Sequence, residues 1–185
     1  MNKILLICIL FLSPTCFYGQ SKKDIKKYNI KVIKELNTDN AKDNAGTIKE
    51  YSKFDKAGNI TEHIEYDKEG KALMRENYIN DKNGNILEHT VYMADGLIKK
   101  KIFRKFNSNN DKTEELTIDG KGRQIKKENT LYNLSGNKIS EIIVDSINNN
   151  TEKTLYTYNK YGMKTEKSTF NGYGNLVSKK KYVYE

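Results

Sequence analysis

Stretches of strand-forming residues alternate along the chain with a recurring turn motif. The motif is an aromatic or apolar residue, then Asp or Asn, two variable residues and Gly, as in residues 54–58, Phe-Asp-Lys-Ala-Gly. Its copies begin at positions 54, 66, 80, 92, 106, 118, 132, 144, 158 and 170. The intervals alternate between 12 and 14 residues, so the repeat is 26 residues long. The stretches between motifs are rich in Ile, Thr, Tyr and Val, as is typical of β-strands.

The motif predicts a hairpin turn that ends on a left-handed residue. Asp or Asn at the second position caps its own backbone, and the fifth position requires a positive φ. Gly fills the fifth position in eight copies, and Asn110 and Asn148 fill it in the other two. This pattern is typical of a three-residue hairpin loop with a bulge at the glycine. We therefore predict an antiparallel meander with ten strands in residues 59–184 and two more before them.

The even intervals predict that residues of one parity stay on one face of the sheet. Eleven of the fourteen aromatic residues from position 54 to position 184 have even numbers, so one face should be richer in aromatics. Neither parity is purely apolar. The predicted fold is therefore all-β, a meander of 26-residue double-strand repeats that forms an elongated, twisted, largely single-layer sheet with room to curl. A closed or two-layer packing of the same meander is the alternative.

Residues 20–46 do not keep the repeat. Ile25, Tyr28, Val32 and Leu36 fit one stripe of a helix, whereas Tyr28, Ile30 and Val32 alternate as in a strand. We predict an edge strand here, with a short helix as the alternative, followed by a loop from Asn37 to Gly46. The β-repeat domain then covers residues 47–185.

The first nineteen residues are typical of a cleavable signal peptide. Lys3 precedes an apolar run at residues 4–12 that is too short to cross a bilayer as a helix. The alternative is a lipid anchor on Cys16. Cleavage after Gly19 removes both cysteines and leaves 32 basic and 24 acidic residues, a net charge of +8. We predict a protein exported to the periplasm or the cell exterior, with no transmembrane segment in the mature chain.

This composition narrows the classes of partner and chemistry. A basic chain outside the cytoplasm favours anionic envelope polymers or glycans over nucleic acid as partners. A mature chain without cysteine has no disulfide, thiolate nucleophile or Cys-based metal site. His63 and His89 stand one period apart, which places them on alternate strands of an exposed face, ~10 Å from each other. That is too far to share one metal ion, so we predict no metal, no cofactor and no enzymatic activity.

One repeat position is basic in five successive copies. The five residues are Arg75, Lys101, Lys127, Lys153 and Lys179. With three-residue loops, hairpin closure predicts that they face His63, His89, Glu115, Glu141 and Lys167 across the strands. The column would then be a cationic ladder with a rung every ~10 Å, neutralised only in its middle. It fits a polyanion such as an acidic glycan or lipopolysaccharide, and the alternative is a solvated lysine face that prevents aggregation.

Aromatic and acidic residues supply two further candidates. Tyr156, Tyr158, Tyr182 and Tyr184 crowd near the C-terminus. Their rings could stack on sugars, or they could pack as part of the core. An acidic column comprises Glu62, Glu88, Glu114 and Glu166. The same register predicts that Glu62 faces Glu76 and that Glu114 faces Glu128, which requires solvation, a bound cation or a shifted register.

The turn motif resembles a known repeat. Residues 54–60, Phe-Asp-Lys-Ala-Gly-Asn-Ile, and 66–70, Tyr-Asp-Lys-Glu-Gly, resemble the YD-peptide repeats of Rhs and teneurin-type proteins. Residues 156–162 look like the same unit with Asn for Asp. The repeat is also similar to MORN-variant antitoxin-like repeats. The resemblance covers residues 54–184 and implies a β-scaffold, often associated with carbohydrate or cell-surface binding.

Two functional hypotheses follow. The first is an exported, non-enzymatic scaffold that binds an envelope glycan or an anionic surface polymer. The second is a protein-binding role, as an immunity or inhibitor protein against a secreted toxin. Salt separates the two, because polyanion binding weakens steeply with ionic strength, whereas a protein interface with an aromatic centre does not.

Overall fold

The computed structural model describes residues 21–37 and 46–185. The predicted signal peptide, the alternative anchor on Cys16 and most of the predicted loop after Asn37 lie outside the described residues. The elements are α1 (Lys22–Lys27), β1 (Val32–Asn37), β2 (Thr47–Phe54), β3 (Ile60–Tyr66), β4 (Ala72–Asn80), β5 (Ile86–Met93), β6 (Ile98–Phe106), β7 (Lys112–Asp119), β8 (Gln124–Tyr132), β9 (Lys138–Asp145), β10 (Asn150–Tyr158), β11 (Lys164–Asn171) and β12 (Leu176–Lys181).

The twelve strands form one open antiparallel sheet in chain order, with β1 and β12 at its edges. Packing contacts join each strand mainly to its neighbours in the chain. The predicted all-β meander is therefore confirmed, with ten strands between positions 59 and 184. Because there is a single layer, most side chains are only half-buried, and the buried apolar ones are few: Ile25, Tyr78, Val91 and Ile102.

The N-terminal segment contains both a helix and a strand. Ser21 and Asp24 form a capping box at the start of α1. The helix ends where Asn29 takes φ 50°, while the N–H groups of Asn29 and Ile30 donate to the carbonyls of Lys26 and Ile25; this is the Schellman pattern. No helix in the described part of the chain is long and apolar enough to cross a membrane.

The turns form as the motif predicts. At the β3–β4 hairpin, one carboxylate oxygen of Asp67 accepts the N–H groups of Glu69 and Lys71, and Gly70 takes φ +79°. Seven other motif glycines and Asn110 also have positive φ.

The β9–β10 hairpin is the exception to this turn pattern. There the left-handed residue is Asn149, at φ 48°, so the prediction for Asn148 is wrong. Asp145 accepts the N–H groups of Ile147 and Asn148 instead, and it pairs directly with Asn150 without the usual register shift.

The predicted register is wrong by one residue. Tyr66 pairs with Ala72, but Glu65 pairs with Met74, which leaves Leu73 as an extra residue one step beyond the turn. Eight other hairpins have a register shift at the same place. In β1–β2 the shift lies one pair further from the loop, and β9–β10 has none. One extra residue in a hairpin moves the odd-numbered side chains of the next strand to the other face of the sheet. Odd or even numbering therefore does not identify a face.

The two faces consequently carry different residues from those predicted. Tyr78 pairs with His89, and Tyr92 pairs with Arg75. Arg75 and Tyr78 are three positions apart on β4 and so point to opposite faces, which places the two tyrosines on opposite faces as well. The expected aromatic-rich even face does not exist. We call the face with His63, Tyr78 and His89 the histidine face, and the face with the basic column the ladder face.

Candidate anion-binding surface

The basic column is largely neutralised by the acidic column of the neighbouring strands. Cation–carboxylate distances are 2.9 Å for Arg75–Glu62, 3.3 Å for Lys101–Glu88, 3.3 Å for Lys127–Glu114 and 2.8 Å for Lys179–Glu166. The predicted partners of the column, His63, His89, Glu115, Glu141 and Lys167, lie on the histidine face instead, because the extra residue in each hairpin moves them by one position. The ladder face is therefore a row of ion pairs rather than a cationic ribbon.

Lys153 is the exception in this column. The position that holds Glu in the other four copies is Ser140. In the part of the chain that the structure describes, Lys153 has no ion pair, and its side chain is exposed. A single unpaired lysine does not form a ladder.

The residues of the acidic column do not face one another. Glu62 pairs with Asn77, and Glu114 pairs with Asn129, so the predicted Glu62–Glu76 and Glu114–Glu128 pairs are wrong. The register shift explains the difference for these pairs. On the histidine face Glu115 does pair with Glu128, and the Lys112 amine lies 3.1 Å from both carboxylates.

His63 is buried and His89 is half-buried, which corrects the prediction of an exposed face. His63 is 7 % exposed, and its Nδ1 lies 2.9 Å from the hydroxyl of Ser52. His89 stacks on Tyr78 with ring centroids 4.6 Å apart, and its Nε2 lies 3.2 Å from the Glu76 carboxylate. Among residues 21–37 and 46–185, no three His, Cys, Asp or Glu side chains are grouped to hold a metal ion.

Glu76 is held ionised within this cluster. Burial opposes its ionisation, but hydrogen bonds from His89 and Tyr78 outweigh burial and lower the pKa of Glu76. Burial and the same carboxylate raise the pKa of Tyr78. The histidine face thus begins, at its N-terminal end, with a polar network of Glu76, Tyr78 and His89.

Further along this face, each repeat pairs one lysine with one glutamate. Lys112 lies 3.1 Å from Glu115, and Lys138 lies 2.6 Å from Glu141. One period later the same two positions hold Lys164 and Lys167. The acid has been replaced by a second base, so the pairing ends there.

The C-terminal end of the histidine face therefore carries a cationic and aromatic surface. We define the C-terminal patch as Tyr156, Lys164, Lys167, Lys180 and Tyr182. Tyr156 pairs across the strands with Lys167, and Lys167 pairs with Lys180. The Lys164 amine lies 4.9 Å from the ring centroid of Tyr156 and 5.8 Å from that of Tyr182. Within the described ranges, none of the three amines forms an ion pair with a carboxylate.

The other two candidate tyrosines hold the sheet together. Tyr158 donates its hydroxyl to the carbonyl of Lys138 at 2.6 Å, and Tyr184 donates to the carbonyl of Lys164 at 2.6 Å. Tyr132 makes the equivalent bond one period earlier, to Lys112 at 3.1 Å. These hydroxyls are therefore occupied by the backbone of the neighbouring strand.

The structure thus brings Tyr156 and Tyr182 together and adds three lysines that sequence reasoning missed. A signal for two of them was present in the repeat columns. Lys167 stands in the column of Glu115 and Glu141, and Lys180 stands in the column of Glu76 and Glu128. The patch is marked by lysine in the last copy of two columns that each hold Glu in two of four earlier copies.

Comparisons with known proteins give only distant likenesses. No protein-family model and no curated protein matches the sequence. The fold is similar to a chain in the crystal structure of TcdB2–TccC3, with a TM-score of 0.49 and 11 % identity, over 74 % of this chain and 9 % of that one. It is also similar to a porin-like protein from Bacteroides uniformis, with a TM-score of 0.44 and 11 % identity, over 80 % of this chain and 74 % of that one. Likenesses this weak carry no information on ligand or activity.

Proposed function

We propose that the protein is an exported, non-enzymatic β-repeat scaffold that binds an anionic envelope polymer, such as an acidic glycan, through the C-terminal patch. The observation that carries this proposal is the occurrence of Lys167 and Lys180 in two repeat columns that each hold Glu in two of their four earlier copies. In earlier copies Glu115 and Glu141 form ion pairs with lysines, whereas within the described residues the amines of the patch form no ion pair with a carboxylate.

The chemistry of the patch suits a polymer that carries both negative charges and sugar rings. Ammonium groups pair with carboxylate, sulfate or phosphate oxygens. Tyr182 is 38 % exposed and offers an apolar ring face beside the lysines. The Lys164 amine over two rings fixes the cation and the aromatics relative to each other.

The wider charge distribution favours the same end of the sheet. Residues 98–185 hold 18 basic and 10 acidic residues, a net charge of +8, whereas residues 47–97 hold 7 and 10, a net charge of −3. Long-range attraction of a polyanion is therefore directed toward the C-terminal strands, and salt should weaken it.

The test compares two double variants with equal loss of charge. Lys167→Gln with Lys180→Gln removes two patch cations, and Lys101→Gln with Lys127→Gln removes two cations of the ladder face. Titration with polygalacturonate should show at least a roughly tenfold loss of affinity for the patch variant and little change for the ladder variant, and neutral dextran serves as the control ligand. Equal losses in both variants would show that only net charge matters and would overturn the proposal.

A protein-binding role, as an immunity or inhibitor protein, is the second candidate. The observation that favours it is the exposed edge strand β12, which is bordered by Leu176, Val177 and Val183, all more than half exposed. An edge strand can accept a strand from another protein through main-chain hydrogen bonds. A partner bound in this way should be retained when salt is raised, whereas a polyanion on the C-terminal patch should be released.

A further inference from the structure

The ladder face contains two equivalent shallow grooves. One has a volume of about 400 Å³ and the other about 410 Å³. Their shared lining positions differ by 52 residues, which is two periods: Lys53 and Lys105, Thr61 and Thr113, Glu62 and Glu114, Asn77 and Asn129, Ile79 and Leu131. Even a local hydrogen bond recurs, since Thr61 and Thr113 each donate to the carbonyl eight residues earlier at 3.2 Å. The grooves therefore share one set of repeat positions, and the first also extends to Tyr92 and Lys101, whose equivalents do not line the second.

Each groove combines an available amide with an exposed aliphatic side chain. The side chains of Asn77 and Asn129 make no hydrogen bond to another described residue, so a donor and an acceptor point into each groove. Ile79 is 55 % exposed and Leu131 is 60 % exposed beside them. An amide beside an apolar surface suits a ligand that has hydroxyl groups on its edges and C–H groups on its faces.

Most of the charges around the grooves are compensated by a neighbouring charge; within the described residues Lys53, which lines the first groove, forms no ion pair. In the first groove Arg75 lies 2.9 Å from Glu62, and Lys101 lies 3.3 Å from Glu88. In the second, Lys105 lies 2.9 Å from Glu114. An anionic or cationic ligand would have to break these pairs, whereas an uncharged one would leave them intact.

The repeat that lies between the two grooves has a phenylalanine where the groove-forming repeats have an asparagine. Phe103 stands one period after Asn77 and one period before Asn129. It fills the position of the amide and pairs with Glu88 and Leu116. The column therefore presents an amide, an aromatic ring and an amide in steps of two strand spacings, ~10 Å each.

We propose that this column binds a linear, uncharged polysaccharide laid across the strands, with the amides hydrogen-bonding sugar hydroxyls and Phe103 stacking on a ring between them. A peptide is a poorer fit, because extended peptides add at sheet edges, and the sheet face has no unpaired main-chain groups to offer. The site lies on the face opposite the C-terminal patch, so it is independent of the proposed anion-binding function.

Calorimetric titration with β-1,4-glucan oligosaccharides tests the proposal. Two lengths are used, one that covers a single groove and one that spans both, ~19 Å apart. The longer chain should bind about 100-fold more tightly, because its second contact is intramolecular. Asn129→Ala should reduce the affinity for the long chain to that for the short one, and Phe103→Ala should weaken the long chain about tenfold.

Controls separate this site from other effects. Thr117→Ala lies between the grooves on the histidine face and should leave binding unchanged, and thermal unfolding verifies the fold of every variant. No measurable binding, equal affinity for both lengths, or equal losses in Thr117→Ala and Asn129→Ala would overturn the proposal. Polygalacturonate binding should be the same in the groove variants as in the parent, so failure here leaves the C-terminal patch untouched.

Discussion

His63, Glu76 and Tyr78 at one end of the histidine face occupy the same repeat positions as Lys167, Lys180 and Tyr182 at the other, four periods later. At the N-terminal end Glu76 accepts a hydrogen bond from Tyr78 and lies 3.2 Å from His89. At the C-terminal end the same positions hold cations and a partly exposed ring. The same repeat positions thus support a polar network in the interior of the sheet and an open cationic surface at its β12 edge, so the difference lies in the side chains and in the place of each copy in the sheet.

The two ends also differ in what covers the turns. Helix α1 packs against the hairpin turns of the N-terminal strands, where the carbonyl oxygen of Lys22 would lie 2.8 Å from a Cβ on Gly58. Nothing lies within 4 Å of the equivalent point on Gly174 near the C-terminus. The N-terminal end is therefore closed by the helix as well as by its own hydrogen bonds.

The largest expected difference between the ends comes from alanine at these two glycines. Both have φ near +80°, so each substitution should cost about 1–2 kcal/mol from left-handed strain. Gly58→Ala must also displace α1, which adds about 1–3 kcal/mol. Urea unfolding of Gly58→Ala and Gly174→Ala measures the difference, and equal losses would show that α1 does not pack against this turn.

The next largest difference between the two ends should be the dependence of stability on acid pH. The pKa of Glu76 is lowered in the folded state, so its ionised form stabilises the fold above the ordinary carboxyl value of 4.5, and this stability is lost as the pH falls through the lower, folded value. Glu76→Gln should cost about 1–3 kcal/mol at neutral pH and much less in acid. Lys180→Gln, at the equivalent position, should show no such acid dependence, and parallel pH profiles for the two variants would contradict this account.

The repeat column that contains Tyr132, Tyr158 and Tyr184 offers one substitution that should lower stability and one that should raise it. Asn80, Tyr132, Tyr158 and Tyr184 each donate to the carbonyl 20 residues earlier. Phe106 stands in this column without a hydroxyl. Tyr158→Phe should cost about 1 kcal/mol, and Phe106→Tyr should gain a similar amount by restoring the bond. Melting temperatures that move in the same direction for both variants would exclude this role for the column.

The smallest expected effect concerns the ladder face. Lys101→Gln removes an ion pair between partly exposed side chains and should cost about 0.2–1 kcal/mol. Lys153→Gln removes no ion pair and should be neutral within error. Stability measured at low and high salt should show the Lys101 effect shrinking, and a larger effect at Lys153 would mean that the pairing described here is not the stabilising one.

Much of the fold is predictable from the turn motif. Asp or Asn followed three residues later by Gly defines most of the hairpins because few other residues tolerate the required φ. The second irregularity, at residues such as Leu73, has no comparable signature, since any residue can be the extra one in such a bulge. Because the extra residue in each hairpin could not be predicted, the sequence pattern placed His63 and Arg75 on the same face, whereas they lie on opposite faces.

The candidate site was predictable only in part for the same reason. Tyr156 and Tyr182 stood out as crowded aromatics, but their neighbours depend on register. With the register off by one, Lys167 was expected opposite Lys179, whereas it pairs with Tyr156 and Lys180. Comparison of repeat columns does not depend on register, and it would have identified the acid-to-base changes at positions 167 and 180.

The most direct test of the central claim restores the acids of the earlier copies. Lys167→Glu with Lys180→Glu should reduce the affinity for polygalacturonate by two orders of magnitude or more, because two attractions become repulsions. Titration at several salt concentrations should also show a shallower salt dependence than that of the parent protein. Unchanged affinity and salt dependence in this variant, with its fold verified by circular dichroism, would contradict the assignment of anion binding to the C-terminal patch.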